Sequence, residues 1–468
     1  MGGKATNLHQ RLWFPARFAK GAKRTGHGAW LSDSDGLPWA VRVGRRGFLA
    51  GRGELMRKLA WGLLVLLAFA IPWEYSLDLG EPVGNIARVA GLLLLLAAIP
   101  AVLQAGRVRT PGAMQWLVLA LYLWFGSSCF WTIDQAATLE KMRGYFQEMM
   151  IVGLVWEFAE TPEDLRTLMR AFVAGSWVLA LLTLANFRSA EAIAAEQIRF
   201  VAEGQDPNDV ARYLDLAFPL AALLLNGERR WGGRLLAAGY LPLGLAAVLL
   251  TASRGGFVAA GLALAGCAWL LLRNRSRTAG VAALAAPVLA FALWAATPQQ
   301  TIDRLSTIPS QLEGGDLNQR VAIWSAGWQA FVRAPIVGTG AGTFVGAARV
   351  HPQDTAHNSP LSMVVSGGLI ALLLASGILV LALRSAAGTR GPLRIALLTV
   401  LAVGSVTSLV DTVEENRATW LLLGMIAVAG RLAAKEPAAL DAVFPASGAV
   451  TGEPADAAIA VLTESAAP

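Results

Sequence analysis

The chemistry this sequence can offer rests on a few arginines and one histidine. Arg254 follows Thr251-Ala252-Ser253 and precedes Gly255-Gly256, Arg199 stands in an otherwise acidic connection, and Arg320 opens a stretch of helical periodicity. A guanidinium presents a planar fork of donors that matches phosphate oxygens. Arg254 gains further if a helix starts there, because free N–H groups and the helix dipole favour an anion. Taken singly, each arginine could equally pair with a nearby carboxylate or a lipid headgroup. Together on one face they point to an anionic ligand. His357, within Thr355-Ala356-His357-Asn358-Ser359-Pro360, titrates near neutrality and could take a proton from a hydroxyl. The plainer reading is a surface histidine with a backbone partner. His9 and His27 fall in the basic N-terminal segment and His351 in the same segment as His357.

Other chemistries are disfavoured. Gly338-Thr339-Gly340-Ala341-Gly342 lacks the Lys-Ser/Thr of a P-loop and the strand–helix setting of a dinucleotide site. No cluster of Asp and His has metal-ligand spacing, so a metal-independent reaction without a cofactor is expected. Cys129 and Cys267 lie in apolar runs and read as small buried side chains rather than a disulfide.

The elements that must hold these residues are membrane helices. Of 468 residues, 55% are hydrophobic and 15% charged, against about 25% charged in soluble domains. Apolar runs of spanning length fall near 57–77, 83–103, 114–131, 144–160, 165–187, 207–226, 233–252, 254–272, 278–296, 359–383, 393–412 and 416–432. The fourth is the weakest, interrupted by Glu148 and Glu157. The expected fold is therefore all-α, a polytopic membrane protein of about twelve spans.

The net charge of +7 is not a nucleic-acid footprint, because the basic residues cluster between spans. Arg57 and Lys58, Arg107 and Arg109, Arg229 to Arg234, Arg273 to Arg277, and Arg384 to Arg394 occupy alternate connections. The intervening ones carry Glu74, Asp78 and Glu81, then Glu191 to Asp209, then Asp411, Glu414 and Glu415. This alternation places both termini in the cytoplasm and the acidic connections outside. The acidic connection near 160–166 breaks the pattern. Thr161-Pro162, Asp206-Pro207 and Ser359-Pro360 read as helix starts, with a capping side chain before a proline. Asp206 is thus a cap first and a functional residue second.

Residues 1–56 and 433–468 read as disordered cytoplasmic ends, and 57–432 as the membrane domain. Within it, 297–358 is one long outer segment. There Val321, Trp324, Trp328 and Phe331 form a helical stripe, facing either the membrane interface or the outer ends of the spans.

These residues together resemble the O-antigen ligase and polymerase superfamily of bacterial envelope glycosyltransferases. Arg199, Gly204 and Asp206-Pro207-Asn208-Asp209 look like its segment before a mid-chain helix. Thr251-Ala252-Ser253-Arg254-Gly255-Gly256 resembles its Thr-x-Ser-Arg-Gly-Gly signature. Arg320 to Trp324 and Pro335 to Gly340 are similar to its Arg-x-x-x-Trp and Pro-x-x-Gly-x-Gly stretch. Ala356-His357-Asn358-Ser359-Pro360-Leu361 resembles its Ala-His-Asn-x-x-Leu signature, with Pro360 where an aromatic is common. The resemblance covers about residues 195–370.

The resemblance implies a metal-independent glycosyltransferase in the bacterial inner membrane, acting at the periplasmic face. The donor would be a polyprenyl-diphosphate-linked glycan, and the acceptor a hydroxyl of the lipid A core or of another glycan. Arg199 and Arg254 would bind and neutralise the leaving diphosphate, and His357 would orient or deprotonate the acceptor hydroxyl. Arg320, Asp206, Asn208, Ser253 and Asn358 would contact substrate. Ligase and polymerase share these signatures; ligase is the reading adopted, although Asp206-Pro207-Asn208-Asp209 also looks like exopolysaccharide polymerases. Protein O-glycosylation is a third relative. A lipid-linked glycan transporter is the alternative of another class. It requires polar residues near mid-membrane and broken helices.

Overall fold

In a computed structural model, the described residues are 39–445 apart from 81–82, 192–198, 229, 274–291, 293–294, 316, 318 and 353. They are helical, with a single isolated bridge, Asp78 to Asn85, in place of any strand among them. Among the described residues ten helices are long and apolar enough to cross a membrane, so the chain is a polytopic membrane protein. They are contained in α1 (Trp39–Ala70) with its 3₁₀ extension Ile71–Ser76, α2 (Ile86–Ala105), α3 (Ala113–Ser127), α5 (Pro162–Glu191), α6 (Pro207–Gly227), α7 (Trp231–Leu250), α8 (Arg254–Arg273), α13 (Ser359–Gly388), α14 (Gly391–Ser408) and α15 (Arg417–Lys435).

The expected fourth span is a helix, α4 (Gln135–Phe158), but it carries Glu140, Lys141, Arg143, Glu148 and Glu157 and is too charged to count as a span. The expected ninth span, 278–296, lies almost wholly outside the described residues.

Local chemistry sets the helix starts. Asp206 caps α6, accepting from Asn208 N at 2.7 Å, with Pro207 at the first helical position. Asn358 caps α13, accepting from Leu361 N at 2.9 Å. Thr161 and Asp164 form a reciprocal cap at α5, at 2.8 and 3.1 Å.

Two expectations about the ends need correction. α1 begins at Trp39, inside the segment expected to lack structure, directly after Pro38 and with no further proline until Pro72. In the expected disordered tail, α16 (Pro437–Val443) forms because Leu440 and Phe444 find burial and Asn226 Nδ2 donates to Pro445 O at 2.9 Å.

α6 is the central helix. Every residue from Val210 to Leu225 is buried, and α5, α7, α8 and α14 surround it. Gly256 lets α8 approach it: a Cβ there would stand 2.3 Å from Ala211 Cβ.

α13 is broken at Gly368, where φ is +67°. A Cβ at that residue would meet Ile336 O at 2.0 Å. The segment from Pro335 to Gly340 fills this break. Thr339 N donates to Val365 O, Gly340 N to Ser366 O, and Leu369 N to Pro335 O, at 2.9–3.0 Å. Trp124 Nε1 donates to Gly367 O at 2.8 Å. Backbone freed inside an apolar bundle must find partners within the protein, and here a neighbouring segment supplies them.

The long segment is mostly helical: α9 (Gln299–Ser306), α10 (Ile308–Gly314), α11 (Arg320–Arg333) and α12 (Phe344–Ala348). α11 packs on α12 and α13 through Ile323, Gly327 and Ala330, one residue off the expected stripe. Trp324 and Phe331 are half-buried at its edge, while Val321 and Trp328 are exposed.

Candidate active site

The starts of α6, α8 and α11 converge with the short helices α9 and α10 and with the end of α14 and the loop after it, and they line a cavity of ≈ 250 Å³. Its polar lining is Arg199, Asn208, Arg254, Arg304, Gln311 and Arg320, with no Asp or Glu among the described lining residues. Val258, Trp324, Val406, Leu409 and Val410 give it an apolar side.

Arg199, Arg254 and Arg304 each donate to carbonyl oxygens of the cavity wall. Arg199 donates from Nε to Thr251 O at 3.1 Å and from Nη2 to Asn208 Oδ1 at 3.0 Å. Asn208 Oδ1 also accepts from the Ser253 hydroxyl at 2.8 Å, and Ser253 Oγ accepts from Gly256 N at 3.2 Å. Buried Ser253 and Asn208 therefore tie the loop before α8 to the first turn of α6. Arg254 Nε donates to Arg304 O at 3.3 Å, and Arg304 Nε donates to Ala252 O at 3.0 Å. Ala252 holds a left-handed φ of 48°, a strained position for a residue with a side chain.

The crowding of cations shows in their proton affinities. Burial pushes Arg199 down to about 10, with Arg304, Arg320 and Arg254 adding repulsion and Asp206 opposing it. Arg304 is lowered by burial and by Arg254, and Arg320 chiefly by burial. Like charges held together in a partly desolvated cleft favour a multiply charged anion.

His357 stands at the edge of this cavity. It has a left-handed φ of 42°. The residue before it accepts from cavity-lining Trp324, Nε1 to Ala356 O at 3.0 Å. The residue after it donates to cavity-lining Leu409, Asn358 Nδ2 to O at 3.0 Å. Buried Nδ1 has no hydrogen-bond partner. Burial lowers the imidazole pKa below its usual 6.5 and Arg320 lowers it further, against Asp411, Asp206 and Asp354. His357 is thus mainly neutral at pH 7, with a lone pair available.

Of the residues singled out from sequence, Arg199, Arg254, Arg320 and Asn208 line the cavity. Ser253 lies behind it, and His357 and Asn358 at its edge. Asp206 is an exposed cap outside the lining. Three residues escaped sequence reasoning. Arg304 comes from α9, where its lone charge gave no cue. Arg212, inside α6, is held by Asp209 and, at 3.1 Å, by Asp411 Oδ2. Asp411 sits where the α14–α15 loop closes over Gly255, whose Cβ would be 3.0 Å from Val410 Cγ2. The pattern Asp209-x-x-Arg212, one helical turn on an otherwise apolar face, could have flagged the pair.

Among the described residues no group of His, Cys, Asp or Glu is arranged to hold a metal ion. Cys267 is buried and Cys129 half-buried, both as free thiols.

The fold and cavity define a membrane protein that gathers cationic groups at one end of its helices. Residues 239–376 match the family model for O-antigen ligase. The matched region holds Arg254, Arg304, Arg320 and His357, while Arg199 and Asn208 precede it. No curated protein matches the chain.

Proposed function

We propose that this protein is an O-antigen ligase-like glycosyltransferase of the bacterial inner membrane, with both termini cytoplasmic and its arginine cavity at the periplasmic face. The observation that carries the reading is the cavity itself: four arginines line it, with no carboxylate among the described lining residues and His357 at its edge. The donor is a glycan on a polyprenyl diphosphate, and the acceptor is a hydroxyl, of the lipid A core in the ligase reading.

In the reaction the acceptor oxygen attacks the anomeric carbon of the donor glycan. The bond from that carbon to the diphosphate oxygen breaks, and the electron pair leaves with the diphosphate, still on its carrier. Arg199, Arg254 and Arg320 meet the growing negative charge with donors already in place, so little reorganisation accompanies bond breaking. The acceptor proton passes to His357, which is neutral at pH 7 and has an unpartnered Nδ1. Asn208 and Ser253 position Arg199, and Asn358 fixes the backbone beside His357. No step calls for a metal.

The break at Gly368 is a feature expected of a transporter. It is filled by 335–340 and Trp124 rather than opening onto the arginine cavity, which supports transfer over conduction.

The test is deletion of the gene and inspection of the envelope glycans. Lipid A core without O-antigen, together with accumulated long lipid-linked polymer, supports the ligase reading. Core capped by one repeat unit means a polymerase. Loss of a secreted polysaccharide with normal lipopolysaccharide means an exopolysaccharide polymerase. Normal transfer by correctly inserted His357→Ala and Arg254→Ala proteins would overturn the mechanism.

A further inference from the structure

A second cavity, of ≈ 240 Å³, lies on the other side of the end of α14. It runs between α13, α14 and α15, with Leu121 of α3 and Leu216 of α6 behind. Its walls are hydrocarbon for most of their length, including Met363, Ile378, Leu401 and Ile426. Ser376 and Leu379, both exposed on α13, mark a side where it opens towards lipid. Small residues Ala375, Gly404 and Ser405 on the facing helices leave the space.

One end is different. Ser359, Glu414 and Arg212 meet there. Arg212 is already held by two carboxylates, Asp209 and Asp411. Ser359 donates to Asp411 O and accepts from Val413 N. Glu414 is 4% exposed, and neither of its carboxyl oxygens has a hydrogen-bond partner. The Ser359 and Ser362 hydroxyls lie beside it, and its two oxygens have room to accept from a further donor arriving through the cavity. Burial, then its neighbour Glu415, raises its pKa to about 7, against Ser359 and Ser362.

A phosphate would set like charge against Glu414, whereas hydroxyls can donate to both oxygens. This polar end also lies at the start of α13, directly after His357 and Asn358. The two cavities thus divide the labour by charge, cationic on one side of α14 and acidic on the other.

We propose that the second cavity is a substrate site for the hydrocarbon chain of a lipid whose head offers hydroxyl groups, not phosphate, to Glu414, and that this lipid presents the acceptor hydroxyl to His357. The last clause rests on the proposed transfer reaction; the lipid site does not.

Trp420 lines the cavity and donates from Nε1 to Glu414 O at 2.9 Å, so it reports on occupancy. The full chain, in nanodiscs of unlabelled phosphatidylcholine, is titrated with chain-brominated dodecyl maltoside and, separately, with a chain-brominated dodecyl phosphate. The Trp420 signal is the difference between wild type and Trp420→Phe. The expected result is saturable quenching by the maltoside and at least tenfold weaker quenching by the phosphate. Glu414→Leu should weaken the maltoside at least tenfold, Gly404→Leu should abolish the quenching, and unbrominated maltoside should compete in the wild type, which needs no variant.

Quenching that never saturates, or that resists competition, overturns the site. Phosphate binding as well as maltoside overturns the head-group assignment and points to the donor's carrier instead. Arg254→Ala should leave the quenching unchanged. If it also leaves glycan transfer intact, the transfer reading fails while the lipid site stands.

Discussion

Arg254 and Arg417 each occupy the first residue of a helix, α8 and α15, at the same end of the bundle. Arg254 is oriented by the carbonyl of Arg304 and faces a cavity with no carboxylate among its described lining residues. Arg417 is paired with Glu74, a fully buried acid at the end of α1, and donates to Gln147 Oε1 at 3.1 Å. A buried cation answered by a buried carboxylate ties helices together. A cation oriented by a backbone carbonyl at a cavity wall is placed to meet a ligand as well. The difference lies in the partner, not in the residue type or its place on the helix.

The comparison predicts opposite damage at the two sites. His357→Ala should cost glycan transfer about 10²–10⁴ and Arg254→Ala about 10²–10³, measured on purified protein with lipid-linked donor. Neither should move the thermal unfolding midpoint by more than a few degrees. A large loss of stability in Arg254→Ala would break the distinction.

Arg417→Met should do the reverse. It strands Glu74 without its counter-ion, and removing one member of a buried pair costs about 3–5 kcal/mol. The unfolding midpoint in detergent should fall, and Glu74→Gln in the same chain should restore part of it. Recovery in the double variant separates stranded charge from lost packing.

Arg304→Ala should have a smaller effect. Losing one charged hydrogen-bonding group is worth about 1.5–3 kcal/mol, so about a tenfold or larger rise in KM for donor is expected. Arg304→Lys, which keeps the charge but not the fork, should fall between.

The gentlest test is pH. A histidine whose pKa is lowered is neutral above that pKa, so transfer should rise with pH through a limb lying below 6.5. Burial is the main cause and Arg320 the second, so Arg320→Gln should move the limb upward. A limb above 6.5 in the wild type would contradict a neutral base beside arginines.

Much of this was legible in sequence because membranes constrain composition so strongly. Long apolar runs fix spans, and capping residues near prolines fix starts: Asp206 caps α6 as its place before Pro207 predicts, whereas α13 is capped by Asn358, one residue earlier than Ser359-Pro360 suggests. The signature around Arg254 was legible for a second reason. Gly255 and Gly256 are demanded by the close approach of Val410 and Ala211. What was illegible came from distant partners. Arg304 lies on a short helix of no special pattern, and only its bonds to the loop at Ala252 bring it in. The stripe on α11 was misjudged by one residue because the buried face includes Gly327, whose role is to admit Phe344 and Leu361 rather than to be apolar. The glycine stretch 338–342 was rejected as a nucleotide loop, but its use in filling a broken helix depends on Gly368, far along the chain.

By itself the sequence determined that this chain lives in lipid, where its helices start, and that its arginines and His357 belong to those starts. Burial of apolar area and satisfaction of backbone groups are local demands, written in consecutive residues. Tertiary structure decided which cations meet a carboxylate and which meet a cavity. Electrostatic pairing is settled in space, between residues hundreds of positions apart such as Glu74 and Arg417, and no spacing along the chain encodes it.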